Sequence, residues 1–216
     1  MPSILERTIM KTVSPSPFPD AAQRRAERET KRNAVLRAAV RMFNEKGFHL
    51  TSLDDVAASL GISKPTIYYY LGNKDQVLFE CVTIGLQQLL EAAAEARRES
   101  GLGIDRLCKF LERYAEVNMD DFGRCVIRTG DEALAPESAR RFRALKRKID
   151  DAMRELIAEG IADGSVAADD PKALALALAG ALNWPARWFD PSGPEDTGTV
   201  ARRLVNALRN GFAPRM

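Results

Sequence analysis

Residues 51–74 read TSLDDVAASLGISKPTIYYYLGNK, two short apolar-faced segments separated by one glycine. That spacing leaves little choice of local fold. Counted from Leu53, Val56 and Leu60 share one face of a first helix, small Ala57 lies between them, and Gly61 stands at the turn. Glycine adopts the positive φ of a sharp reversal without the steric penalty a side chain brings. Ile62 and Ile67 then return to the same miniature core, the pattern of a helix-turn-helix. Ser63 suits the N-cap of the second helix, and Pro65 in its first turn gives up an amide hydrogen that had no partner there. The helix predicted over 64–70 therefore starts with its amide-rich end outward. In this motif that end presents side chains to base edges in the major groove.

Tyr68, Tyr69 and Tyr70 close the second helix. Successive helical positions point roughly 100° apart, so a buried stripe accounts for one tyrosine and not for three. Tyr68 is the foremost candidate for a base or phosphate contact. Lys64 and Thr66, in the first turn, are placed to hydrogen-bond base edges or phosphates. Tyr70 and Lys74 lie further along, where backbone contact is expected. Charge favours the same surface: the chain carries only +2 overall, but positions 24–46 hold eight Lys or Arg against three Glu. A positive flank gives sequence-independent, salt-dependent phosphate affinity; a solvated helix face is the plainer reading of mixed charge.

Three sub-motifs follow in order, AVRMFNEKGFHLTSLDDVA, LGISKPTIYYY and LGNKDQVL. Together they resemble the DNA-binding domain of the tetracycline-repressor (TetR) family over residues 31–79. The resemblance implies a double-stranded DNA operator as partner, a homodimer, and a C-terminal body that binds a small effector. It assigns DNA contact to Pro65, Thr66, Tyr68, Tyr70 and Lys74, turns Tyr69 partly inward, and puts Thr51 where family members commonly bind phosphate.

Composition excludes more than it specifies. The 216 residues suffice for one small and one medium domain, or a single larger helical body. No stretch approaches the roughly 18 to 20 uninterrupted apolar residues of a membrane span. The basic N-terminus lacks the apolar core of a secretory signal, so a cytoplasmic protein with no membrane partner is expected. Cys81, Cys108 and Cys125 are odd in number and lack metal-type spacing, which fits reduced thiols. His49 is the only histidine, and zinc chemistry, a Ser-His-Asp triad and histidine acid-base catalysis lack their partners. Asp54 and Asp55 answer a helix dipole, and no nucleophile, base and phosphate loop converge near them or near Asp131 and Glu132. Neither an enzyme nor a cofactor is expected.

The chain divides into a mobile arm (1–26) containing SPSPFP, a helix-turn-helix module (27–74) and a helical body (75–216). Arg24 and Arg25, at the end of the arm, are candidates for a minor-groove contact; an unstructured tail without a role is the alternative. Apolar residues at three- and four-residue intervals predict helices over 28–46, 105–119, 136–163, 170–189 and 194–211. Another is predicted from the Asn73 cap, with Gln76 reaching back to it, to about 98. No period-two pattern appears. The expected fold is all-α, an N-terminal three-helix DNA-binding domain followed by a helical domain for ligand binding and dimerisation. The last helix is expected to offer Val200, Leu204, Leu208 and Gly211 to a second copy, together with the helix before it.

For the effector, Trp184, Arg187 and Trp188 share one helical face next to Pro185, which would bend the axis. Two aromatic walls and one arginine suit an apolar anion, and equally suit a subunit contact. NWPARWFDPSGP is similar to a subgroup of the family associated with coenzyme A thioesters, as is the stretch holding Phe122, Arg124 and Arg128, whose arginines are candidates for phosphate or carboxylate. A basic cluster (Arg140, Arg141, Arg143, Lys146, Arg147, Lys148) reads as a nucleotide grip or, more simply, a solvated surface. A multidrug-type sensor and a helical adaptor without DNA binding are the rivals.

Overall fold

In the computed structural model, which describes residues 20–212, the first helix starts earlier than its apolar period does. The Asp20 side chain accepts from the Gln23 amide (2.7 Å) while that of Gln23 accepts from the Asp20 amide (3.0 Å). This capping box opens α1 (Ala21–Lys46). Positions 21–26, expected as the end of a mobile arm, are thus helical, and Arg24 and Arg25 ride on a helix. The rest of the expected arm, positions 1–19 with the SPSPFP cluster, lies outside the described residues. The buried face of α1 begins only at Val35 and continues through Leu36, Ala39, Val40 and Phe43.

Leu53, Val56 and Ala57 of α2 (Leu53–Ser59) and Ile67 and Leu71 of α3 (Lys64–Leu71) close on that face, giving one small core. Only Gly72 and Asn73 separate α3 from α4 (Lys74–Ala96), which opens on the expected Asn73 and Gln76 capping box. By length and composition α4 is apolar enough to cross a membrane. Half of that stretch is buried in protein, however: it packs on α5 (Gly103–Met119), α6 (Asp121–Arg128) and α7 (Pro136–Ala162) as the central helix of the body.

The α6 helix has no counterpart among the helices read from sequence. It is short, and glycine within it disfavours a helix by about 1 kcal/mol relative to alanine. Its formation answers tertiary needs: a Cβ at Gly123 would sit 1.9 Å from the Val117 carbonyl oxygen, and one at Gly85 of α4 would sit 2.7 Å from that of Phe122. Both glycines permit backbones to approach more closely than side chains allow. A turn of 3-10 helix follows at Asp131–Ala133.

Pro185 divides a helix where sequence suggested a bend. α8 (Pro171–Asn183) ends before Trp184, and α9 (Pro185–Trp188) begins anew with the proline in its first turn. In α10 (Thr197–Phe212) the expected dimer stripe is split, because Val200 is buried with Ala201 and Val205 in the body, where the helix packs on α5. Leu204 and Leu208 are only half-buried. The continuous uncovered apolar strip lies on α8 instead, through Ala173, Leu176, Ala177, Gly180 and Ala181 to Trp184. The architecture is all-α, with no strand among the described residues.

Candidate nucleic-acid interface and effector cavities

The reading unit is built by short-range chemistry. Ser52 caps α2, accepting from the Asp55 amide (3.0 Å), and the Asp55 carboxylate accepts from the Ser52 amide (3.0 Å). Gly61 takes a φ of 64°, and the Ile62 amide closes the turn on the Ala57 carbonyl (3.0 Å). Ser63 stands at the N-cap of α3 with extended backbone, but its hydroxyl meets Thr66 Oγ1 (2.8 Å) instead of a backbone amide. Pro65 has no amide hydrogen, and the Thr66 and Ile67 amides donate to the Ser63 carbonyl (3.0 and 3.3 Å).

Lys64, Pro65, Tyr68 and Tyr69 are exposed on α3 and Thr66 is half-exposed, so these expected contacts come together on one outward surface. Lys64 is held by the Asp54 carboxylate, whose hydrogen bond raises the ammonium pKa. Two tyrosines exchange the places expected of them. Tyr69 is the most exposed of the three at 63%, with the Arg28 guanidinium 5.0 Å from its ring centre, and Tyr70 is the half-buried one. Thr51 also departs from expectation. It is buried, and its hydroxyl faces the carbonyls of Gly47 (2.9 Å) and Met42 (3.2 Å), so the side chain secures the end of α1 and is not presented to phosphate. Lys74 lies over the Phe48 ring (4.3 Å), and a surface cleft of about 410 Å³ joins it to Tyr68 and the start of α2.

Sequence reading passed over Arg32. Its guanidinium forms a two-pronged ion pair with Glu80 of α4 while Nε donates to the Tyr70 carbonyl (3.2 Å). A single residue thus ties α1, the end of α3 and the start of α4. No local pattern announces a partner 48 positions away.

The body holds a half-open cavity of about 320 Å³ among α4, α5, α6, α7 and α8. Leu86, Leu89, Val126, Ile149 and Met153 make it apolar, and Tyr114, Asn183, Asp150 and Lys146 supply polar groups. The Asn183 Oδ1 accepts from the Tyr114 hydroxyl (2.8 Å) and from Asn118 Nδ2 (3.0 Å), fixing the polar end. Burial pushes the Tyr114 phenol up to about 12. An unfolded chain loses this proton near pH 10, so the folded state is favoured below pH 10 and loses that advantage between pH 10 and 12. The loss is roughly 2–3 kcal/mol. Thermal melting across this range should show a steeper decline than in Tyr114→Phe; equal slopes would place the phenol in water.

None of the six residues expected to bind effector lines this cavity. Phe122 is buried beneath the Arg37 guanidinium (5.7 Å) and serves packing between α6 and α1. Arg124 donates to the carbonyls of Phe189 (2.9 Å) and Met119 (3.2 Å). Arg128 and Arg187 line a separate cavity nearer the reading unit. Trp184 and Trp188 are exposed, 65% and 46%, and Trp184 ends the bare strip of α8. The single helix they were expected to share is interrupted at Trp184, between the end of α8 and the start of α9. Of the basic cluster on α7, Lys146 does reach the cavity, paired with Asp131 (2.8 Å), which Arg143 also holds (3.1 Å).

Residues 35–81 match the family described as bacterial regulatory proteins, tetR family, and residues 100–212 match the tetracyclin repressor-like C-terminal domain. The chain is similar to the transcriptional repressor KstR2 of Rhodococcus jostii, 26% identical over 200 residues that span 90% of this chain and 97% of that one. It is also 23% identical over 191 residues to the transcriptional activator FasR of Mycolicibacterium smegmatis (88% and 86% of the two chains). Its fold matches the crystal structure of AibR in complex with isovaleryl coenzyme A and operator DNA, with a TM-score of 0.73, 20% identity, and 86% and 99% of the chains covered. An outward reading helix on a three-helix unit, the helical body behind it and these two matched regions agree: the chain belongs to the tetR family of DNA-binding transcriptional regulators and is not an enzyme.

Proposed function

We propose that this regulator is a cytoplasmic, ligand-responsive repressor that binds a palindromic operator as a homodimer and leaves it when a small effector, a coenzyme A thioester, enters the body. The observation that carries the reading is the shared use of α4. It starts two residues after the reading helix, and its Leu86 and Leu89 wall the interior cavity. A ligand that fits better when α4 tilts lowers operator affinity by its differential affinity for the two states. Residues 27–74 serve as the DNA-binding domain, with Lys64, Pro65, Thr66, Tyr68 and Tyr69 forward and Tyr70 and Lys74 at the flank. Residues 75–216 bind effector and partner copy. Two reading helices must lie about 34–36 Å apart, or a related distance, to occupy successive half-sites. The bare strip of α8, ending in Trp184, supports a second copy there.

The cavity suits a short acyl group, and Lys146 in its lining, with Arg143 on the same Asp131 partner, suits the phosphates of a carrier that remains outside. The complex of AibR with isovaleryl coenzyme A supports this ligand class. An uncharged effector of the multidrug type fits the same apolar walls and separates by charge dependence. Selection from random duplexes should return an inverted repeat, and short acyl-coenzyme A should release it. Ala179→Trp, which fills the cavity from α8, should keep operator affinity and reduce release about tenfold or more. Enrichment of no duplex would sink the regulator reading, and release undiminished in Ala179→Trp would sink the cavity assignment.

A further inference from the structure

Between the reading unit and the body lies a second cavity, about 330 Å³ in volume. Phe43 of α1, Phe48 in the turn after it and Leu78 of α4 give it an apolar floor, and Arg128 and Arg187 stand at its edge. Arg128 leaves the last turn of α6 and donates from Nη1 to the Asn44 carbonyl (2.6 Å), so it bridges body and reading unit. The Arg187 guanidinium of α9 has no hydrogen bond or ion pair with any described residue. Arg124 sits one turn before Arg128, and its buried Nε has no partner. Partial burial and then the like charges of Arg124 and Arg187 draw the Arg128 pKa below its usual value.

Glu132 is the one carboxylate lining the cavity, so the guanidinium charges outnumber the acidic charge beside them. Asp121, at the neighbouring cleft, is engaged by Arg41 (3.0 Å). A guanidinium offers a planar fork that matches carboxylate or phosphate oxygens and strengthens with their charge. Apolar floor and cationic edge together describe a ligand with two unlike ends.

We propose that this junction cavity binds a small amphipathic anion, an aryl or alkyl phosphate or carboxylate, with its apolar end on Phe43, Phe48 and Leu78 and its charged end between Arg128 and Arg187. Binding there competes with the Asn44 carbonyl for Arg128 and loosens the hold of α6 on α1. Any consequence for operator release rests on the regulator reading above; the binding itself does not.

Phenyl phosphate titrated calorimetrically into the full chain tests the site, with benzyl alcohol and inorganic phosphate as probes of each half. Saturable binding of phenyl phosphate is expected, with both half-probes about tenfold weaker or more. Arg187→Gln should weaken phenyl phosphate by a similar factor with unchanged melting, since this side chain is exposed. Ala179→Trp, which fills only the interior cavity, should leave it unchanged. The proposal is overturned by absence of saturable binding, by either half-probe matching phenyl phosphate, by indifference to Arg187→Gln, or by loss in Ala179→Trp.

Discussion

Gly123→Val is expected to lower stability by roughly 3 kcal/mol or more, the largest effect predicted for any single position. A Cβ at position 123 would fall 1.9 Å from the Val117 carbonyl oxygen and 2.5 Å from its carbon. The obstacle is main chain of α5, held in its own helical hydrogen bonds, so relief requires moving α6 as a body. That helix lies on α1, α4 and α5 at once. For a chain of this length the expected fall in melting temperature is roughly 6–12 °C. Differential scanning calorimetry checks it. Gly61→Ala provides the contrast, since its Cβ meets nothing within 4 Å and only the 64° φ penalises it. A valine at 123 tolerated as well as alanine at 61 would mean that α6 is not wedged as described.

Tyr68→Ala should weaken specific operator binding by about 1–3 kcal/mol for each half-site while leaving folding and assembly intact. The ring is 49% exposed on the forward surface of α3 and outside the small core that Ile67 and Leu71 complete. Removing it therefore costs little stability. Its phenol and its position beside the Lys74 cleft favour contact with the duplex edge. Electrophoretic shifts at fixed salt, repeated on a scrambled duplex, separate the two components of affinity: the specific complex should suffer and the non-specific one much less. Equal loss on both duplexes would make Tyr68 a phosphate contact, and no loss on either would remove it from the interface.

Legibility in the sequence followed the range of the interactions. Gly61 and the Asn73 and Gln76 pair announced the reading turn and the start of α4, because the chemistry that sets them lies within a few positions. The Asp20 and Gln23 capping box is equally local, but no buried residue follows it until Val35, and periodicity alone missed it. α6 was illegible for a different reason: it forms because Gly85 and Gly123 let α4 and α5 approach it, a tertiary requirement that local propensity opposes. The polar end of the interior cavity joins Tyr114 to Asn183 across 69 positions, and Thr51 reveals its structural duty only once the end of α1 folds over it. For Trp184, Arg187 and Trp188, spacing could not say which cavity or surface would receive each side chain.

The Arg32 clamp bears on how such modules can be exchanged. Because one guanidinium holds the last turn of the reading helix and a carboxylate six residues into α4, the natural unit does not stop where α3 stops. A chimera spliced at the Gly72 turn would inherit a donor without its acceptor, and the graft would sit loosely on its new host. A seam placed beyond Glu80 carries both halves of the fastening across together.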